Sequence, residues 1–536
     1  MKDRNTIIRG TKEVLDRWMT AKIPISLEGV ESNIHPQYLS ALIRRSNVQA
    51  LNFVDGIMIE EKPLEDSSTG MKVVCHVGKD ERGSGVSYGN LDGIPLKEKP
   101  IKRYLDEVLD QIIKVGGNSY LTGIGESIIN KVSMILQKHD YGNPVNYQET
   151  SRDNKITGGN LVEDIARKAK ELHNLNGVIR SSAEVCLNGE DTLLVDTIGN
   201  DIEQYRELLS LSFSLAGERN NPEKTLFETS AMLYFNKKSG YNSAYLDRKI
   251  EKLIHNFEES KSAITMKGGH YPIIMDGTAA AVLIHEALAA HLLSGKYIAE
   301  GDSTIFSERM GDQIMAPYLS IIDDPTLERG IGSYRYDEEG VEAKKVVLVE
   351  DGILKNYLLD RGSASKLEQM FGLPLKSNGR ARSEWITDNP EPRVTNLLIE
   401  SKELVSKEEL FDMLQKTIKD QGEDYGLMIE GGGGQVDVED GVFTLYPSGV
   451  WRVDPQGKKE RVKGLRIVGS ADEFLTNIIA TGEPYSTYFG MCGANSGYVT
   501  TQERAPSFLL PQVSAISDAR DNTKGRILPR MESYGK

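Results

Sequence analysis

An α+β protein in two unequal parts is what this sequence predicts: an N-terminal domain of antiparallel sheet with helices, then a C-terminal β-rich domain carrying one conspicuous helix. Three observations predict it. The chain has 536 residues, more than one core normally serves. Short alternating apolar runs, broken by Gly, Asp and Ser turns, fill residues 48–89 and nearly everything beyond 300. Elsewhere apolar residues recur three and four apart, as in Tyr104, Val108, Ile112 and Ile113.

In chain order, Ile7, Ile8, Val14, Leu15 and Trp18 predict a first helix ending near Pro24. Strands follow at 49–54, 56–60, 71–77 and 85–88, joined by turns such as Asp55-Gly56 into an antiparallel meander. Helices are expected at 101–115, 126–139 and 161–175, and the basic run 97–103 reads as a solvated helix start. Strands resume at 177–187 and 192–197, while 203–216 suits helix or strand. The polar segment 217–224 suggests the boundary, giving domains 1–222 and 223–519 and a poorly ordered tail, 520–536. A helix is expected at 226–256 and a short strand at 273–275, after which Asp276-Gly277-Thr278 can cap a helix. Beyond Glu300 one helix, 407–421, opens with the capping pattern Ser406-x-x-Glu409 among strands.

Hydrophobic residues at 39% and charged residues at 27% describe a soluble globular chain. A net charge of −15 argues against nucleic-acid binding, which needs cations to neutralise phosphates. No apolar run is long enough for a membrane span, and the start lacks the apolar core of a secretory signal. Three scattered cysteines cannot frame a disulfide scaffold, so a cytoplasmic, reducing location is expected.

The outstanding stretch is Ile284-His285-Glu286-Ala287-Leu288-Ala289-Ala290-His291, which holds two of the eight histidines. A His-Glu pair on a helix with a second His about a turn later opens many zinc hydrolases: imidazoles hold the metal, and the Glu handles a proton of the water. The spacing there is usually i, i+4, and here it is i, i+6. Six α-helical residues turn about 240° and climb about 9 Å, so a regular helix cannot aim both rings at one ion. Both reach one metal if the helix carries an extra-residue bulge, a feature that favours functional sites, or if it ends between them. The bland alternative is a satisfied core histidine; Glu286 weighs against it, since a carboxylate rarely sits beside a buried face without a role or partner.

Cys492, between Gly490-Met491 and Gly493, reads as a thiol on a glycine-flanked loop, open to a metal or merely an ordinary loop thiol. Cys75 and Cys186 read as small core residues within apolar strands. In Glu430-Gly431-Gly432-Gly433-Gly434-Gln435 no Lys-Ser/Thr follows the glycines, so a nucleotide loop is not indicated. A strand through glycines admits another backbone, such as a peptide at Gly432, Gly433, Gly434 and Gln435; a flexible turn is the alternative.

Taken in order, these segments resemble the TldD/PmbA family, metallopeptidases often labelled modulators of DNA gyrase. The resemblance is carried by Leu283-Ile284-His285-Glu286-Ala287, Asp323-Asp324-Pro325, Asn378-Gly379-Arg380, Pro392-Arg393-Val394-Thr395-Asn396, Gly432-Gly433-Gly434-Gln435-Val436-Asp437 and Met491-Cys492-Gly493. It covers the second half, and the first 220 or so residues fit more loosely. It implies zinc held by His285, His291 and Cys492, Glu286 as general base, and a homodimer or a heterodimer with a family relative. Unfolded peptides would lie extended against strand edges. The family sets its second His closer to the first, usually after a Gly; here Ala289 and Ala290 intervene before His291. The expectation is a zinc-dependent peptidase cleaving unfolded or extended peptides. The alternative is a catalytically silent, metal-free subunit that binds peptide or completes a dimer. Direct action on DNA conflicts with the acidic balance.

Overall fold

The computed structural model describes residues 4–27, 30–62, 67–78, 85–93, 95, 97–130, 143–149, 161–222, 224–303 and 305–517. The α+β class is as expected, with two large sheets. The first is built along Val30–Val54, which pairs antiparallel with both Ser67–Gly78 and Val178–Asp196. Asp201–Glu218 and then Leu226–Asn236 extend it, again antiparallel. Asp55 and Gly56, both at positive φ, turn the chain into Ile57–Lys62, as the Asp-Gly hairpin signal requires. Leu39, Ala41, Ile43, Leu51 and Phe53 share one parity and are all buried, so they mark one covered face. Helices Arg4–Met19 and Glu98–Asn130 cover one end of it, through Leu15, Ile101 and Leu105 among others. Helices Leu161–His173 and Ser243–Ser260 cover the other, through Ile165, Leu246 and Phe257.

The segment 226–256 departs from the expected single helix. Residues 226–236 are strand and only Ser243–Ser260 is helix, capped by the Asn242 side chain. Aromatic Phe227, Tyr234 and Phe235 gain more by pairing along Asp201–Glu218 than by a helical turn, since tertiary context overrides propensity. The boundary expected after residue 222 therefore cuts a hairpin, and because helix Ser243–Ser260 packs on this first sheet we propose a division after Ser260 instead. Helix 101–115 is part of the longer Glu98–Asn130, and the remainder of the helix expected at 126–139 lies outside the described residues, as does the tail from 520. Cys75 is a buried strand residue as expected, whereas Cys186 is only half-buried.

The second sheet is mixed. Gly269–Met275 pairs parallel with Gly426–Glu430 and antiparallel with Gly497–Ser517, which also pairs Ala480–Ala494 and Asn396–Ser401. Met275 delivers the chain to Asp276, whose carboxylate accepts the N–H groups of Thr278 and Ala279 and so starts helix Gly277–Ile284. That helix is apolar on every side and buried on nearly every side, as a helix through a core must be. Lys407–Gln421 is helical with Ser406 accepting from Glu409 N–H, as expected. A further helix, Arg361–Phe371, interrupts the expected strand-and-turn run because Asp360 and Ser363 form a capping box.

Charge joins the first sheet to the loop that carries Glu338, between strands Leu319–Asp323 and Val346–Glu350. Arg44 meets the Glu338 carboxylate at 2.7 Å and Lys72 meets it at 3.2 Å, all three largely buried. Burial pushes the Glu338 carboxyl up, but the two cations outweigh it and hold it down at about 2. Among the described residues no helix is long and apolar enough to cross a membrane.

Candidate metal centre

The chain meets the spacing problem by widening the helix. Helix Gly277–Ile284 passes into a π segment, His285–Ala289, where each hydrogen bond reaches five residues back. Ala290 N–H donates to the His285 carbonyl at 3.0 Å, and Leu293 N–H to that of Leu288 at 3.0 Å. The extra residue per turn swings His291 round towards His285, and their ring centroids lie 6.1 Å apart, nearly perpendicular at 75°.

Cys492 joins them from the other end of the sequence. One ligand atom from each of His285, His291 and Cys492 lies within 4.8 Å of the other two. The position of Cys492 differs from the expected open loop. It sits on strand Ala480–Ala494, paired with Val499, and is 2% exposed. The flanking glycines suggested a loop; here they leave room for the Tyr488 and Tyr498 rings against the strand.

Sequence reasoning missed three residues that shape this centre. Glu503, wholly buried, places Oε1 2.9 Å from His285 Nδ1. That contact leaves Nε2 to face the centre, the arrangement in which a carboxylate orients a ligating imidazole. Buried Arg393 donates to the carbonyls of Cys492 and Gly497 and to Ser496 Oγ, fixing the hairpin behind the thiol. The phenol of Tyr488 is pushed up first by burial and then by the nearby Glu503 charge. The available signal for Glu503 was a carboxylate at an inward-facing strand position, flanked at two-residue spacing by buried Thr501 and Ala505.

The electrostatics suit a cation. Burial alone would push the Cys492 thiol up, yet His285 and Arg393 outweigh it and bring it well below its usual range. Burial pulls His285 down, but Cys492 and Glu503 hold it well above the ordinary imidazole range. Burial pushes the Glu286 carboxyl up, against the two imidazoles that pull it down. Its Oε2 lies 3.9 Å from His291 Nε2.

Two imidazoles and a thiolate are soft and borderline donors of the kind zinc takes, at bonds of about 2.0–2.3 Å. Ligand atoms within 4.8 Å of each other need only small side-chain rotations to share one such ion. One oxygen of buried Glu503 also lacks a hydrogen-bond partner among the described residues, and it sits directly behind His285. The residues fit the group.

The glycine segment lies over Glu286. Gly433–Val436 is a strand, not a flexible turn, pairing Val442–Tyr446 along one edge, with no strand on its other edge among the described residues. A Cβ on Gly434 would fall 2.5 Å from Glu286 Cγ, and one on Gly432, at φ 113°, would fall 2.2 Å from the Tyr446 carbonyl. At Gly433 nothing stands within 4 Å, and Gln435 is exposed.

The chain resembles several known proteins. Residues 268–517 match the PmbA/TldA metallopeptidase C-terminal domain. A metalloprotease TldD homolog of Haemophilus influenzae is 24% identical over 91% of this chain and 95% of its own length. A metalloprotease of Methanothermobacter thermautotrophicus is 34% identical, but the aligned region spans 44% of this chain and only 48% of that protein. A zinc metalloprotease TldD homolog of Saccharolobus solfataricus is 28% identical over 45% of this chain and 50% of its own. In fold, TldE from Thermococcus kodakarensis superposes with a TM-score of 0.64 at 14% identity, covering 90% of this chain and 97% of that one. Residues 268–517, which hold the centre, are thus a PmbA/TldA metallopeptidase C-terminal domain, and the likeness to a TldD homolog runs nearly end to end.

Proposed function

We propose that this protein is a zinc-dependent peptidase acting on unfolded or extended peptides. The observation that carries the reading is the convergence of His285, His291 and Cys492 donor atoms within 4.8 Å, with the Glu286 carboxylate beside them. A divalent ion held by these three residues would supply a Lewis acid that polarises a peptide carbonyl and acidifies a water. The remaining work belongs to the chain. Glu503 holds His285 in one tautomer through Nδ1. Arg393 keeps the Cys492 hairpin in place. The Glu286 carboxylate accepts a proton as the scissile carbonyl is attacked and returns it to the leaving amine; its raised pKa suits both steps. The unpaired edge of Gly433–Val436 offers backbone N–H and C=O groups to an extended substrate, which fits recognition of main chain more than side chain.

The test is metal content of protein purified without chelator. We expect about one zinc per chain, reduced in both His291→Ala and Cys492→Ala, together with peptide cleavage that a chelator stops. A chain that binds no metal and cuts nothing would instead be the silent, peptide-binding or dimer-completing subunit.

A further inference from the structure

Away from the metal centre, one face of helix Ser243–Ser260 is strongly basic. Tyr245, Lys249 and Lys252 are spaced four and then three apart and share a face, with Arg248 at its border. Two cavities of about 350 and 390 Å³ lie against that face. They share Tyr245, Thr487 and Phe489, and so form one continuous groove, with Arg329 on the far side of the first. The helix is anchored to the second sheet by Trp451 Nε1 donating to Glu259 at 3.1 Å and by Lys252 pairing with Glu430 at 2.7 Å. The carboxylate that lines the groove, Asp276, caps Thr278 and Ala279, and its charge also acts on Lys249. Among the described residues Arg248, Lys249 and Arg329 have no carboxylate within ion-pair distance, although the chain as a whole carries a net charge of −15. Lys249 and Arg248 instead lie over the Tyr245 ring, 5.5 and 5.8 Å from its centre. Lys249 is half-buried, and burial followed by the nearby Lys252 pulls its ammonium down.

The groove borders the strand that carries Cys492. Phe489 precedes Cys492 by three residues, about 10 Å along a strand. Strand Ala480–Ala494 pairs Gly497–Ser517 on one edge; on its other edge Val405 bridges Gly482, and beyond that bridge no strand pairs it among the described residues. Phe489 and Cys492 point to opposite faces, so a peptide lying along that free edge meets both. On the other side, Thr278 Oγ1 accepts from Gly431 N–H at 3.0 Å, just before the strand that covers Glu286.

We propose that this groove is a subsite for carboxylates of the peptide substrate, so that the protein prefers acidic peptides. This rests on the peptidase reading for its purpose but not for its test. Unpaired cations over an aromatic floor, beside a free strand edge, suit a carboxylate: the charge draws it in, and main-chain pairing holds the segment that bears it.

The test measures binding of fluorescent ten-residue peptides to the full-length Glu286→Gln protein, which holds substrates uncut if the base assignment is right. One amidated peptide carries three Glu, a second carries Gln in their places, and a third is the Gln peptide with a free C-terminal carboxylate. We expect the Glu peptide to bind about tenfold more tightly than the amidated Gln peptide at low salt. That ratio should fall towards one in Arg248→Gln/Lys249→Gln and on raising salt to about 0.5 M in the parent protein. A preference for the third peptide over the amidated Gln peptide, lost in the same way, would assign the site to the chain terminus. The charge-reversed Arg248→Glu/Lys249→Glu should turn the preference towards a Lys peptide. Equal affinity for all peptides, no binding of any, or a preference untouched by both variants overturns the proposal. Failure of the wild type to cleave peptides counts against the peptidase reading and leaves these binding ratios to be judged by themselves.

Discussion

His285 Nδ1 and Glu503 Oε1 lie 2.9 Å apart across 218 residues of sequence, with the carboxylate wholly sealed from solvent. The pair makes the second layer of the centre as definite as the first. We expect Glu503→Ala to weaken zinc binding about 10- to 100-fold, read by competition with a chromogenic chelator. Glu503→Gln still presents an oxygen to Nδ1–H and should recover most of that loss. Equal affinity in all three proteins would remove Glu503 as a positioning residue.

Glu286 separates holding a metal from using it. Glu286→Gln keeps the side-chain volume and loses the basic oxygen, so peptide cleavage should fall to background while bound zinc stays near one per chain. Substantial cleavage by that variant would rule the residue out as the base.

Gly434 tests how closely the glycine strand must lie on that carboxylate. Its missing Cβ would stand 2.5 Å from Glu286 Cγ, mid-side-chain and hard to move. Gly434→Ala should cost about 100-fold in kcat, as expected for displacing a catalytic group by about an ångström, with metal content unchanged. Gly433→Ala meets open space and should do far less.

The buried trio Arg44–Glu338–Lys72 ties the first sheet to a loop of the C-terminal half and has a definite pH signature. The Glu338 carboxyl is held at about 2, below the unfolded value of about 4.3, so its stabilisation is present above the unfolded value and is lost as pH falls towards 2. Glu338→Gln should lose roughly 3 kcal/mol at pH 7 and differ less and less from wild type below about pH 4. Urea unfolding at several pH values measures this; a constant difference down to pH 3 would contradict it.

Much of the arrangement was legible because it is local. The Asp276 cap, the Ser406 cap and the Asp55-Gly56 turn each sit within a few residues of what they control. The i, i+6 spacing of His285 and His291 required a bulge, or a helix end between them, if both rings were to meet, and the helix widens at that place. What escaped depends on distant partners. Residues 226–236 are strand because Asp201–Glu218 lies beside them. Glu503 reads as an ordinary strand carboxylate until the sheet sets it beneath His285. Cys492 is buried although its glycine neighbours suggest a loop, because the hairpin is held from behind by Arg393, 99 residues away.

The wide turn at His285–Ala289 means that angular phase, rather than residue count, is what such a centre must keep. An added residue is taken up by longer backbone rings, while Leu288, Leu292 and Leu293 stay buried. The core is thus blind to an insertion that would disqualify the chain under any pattern with a fixed gap between its histidines.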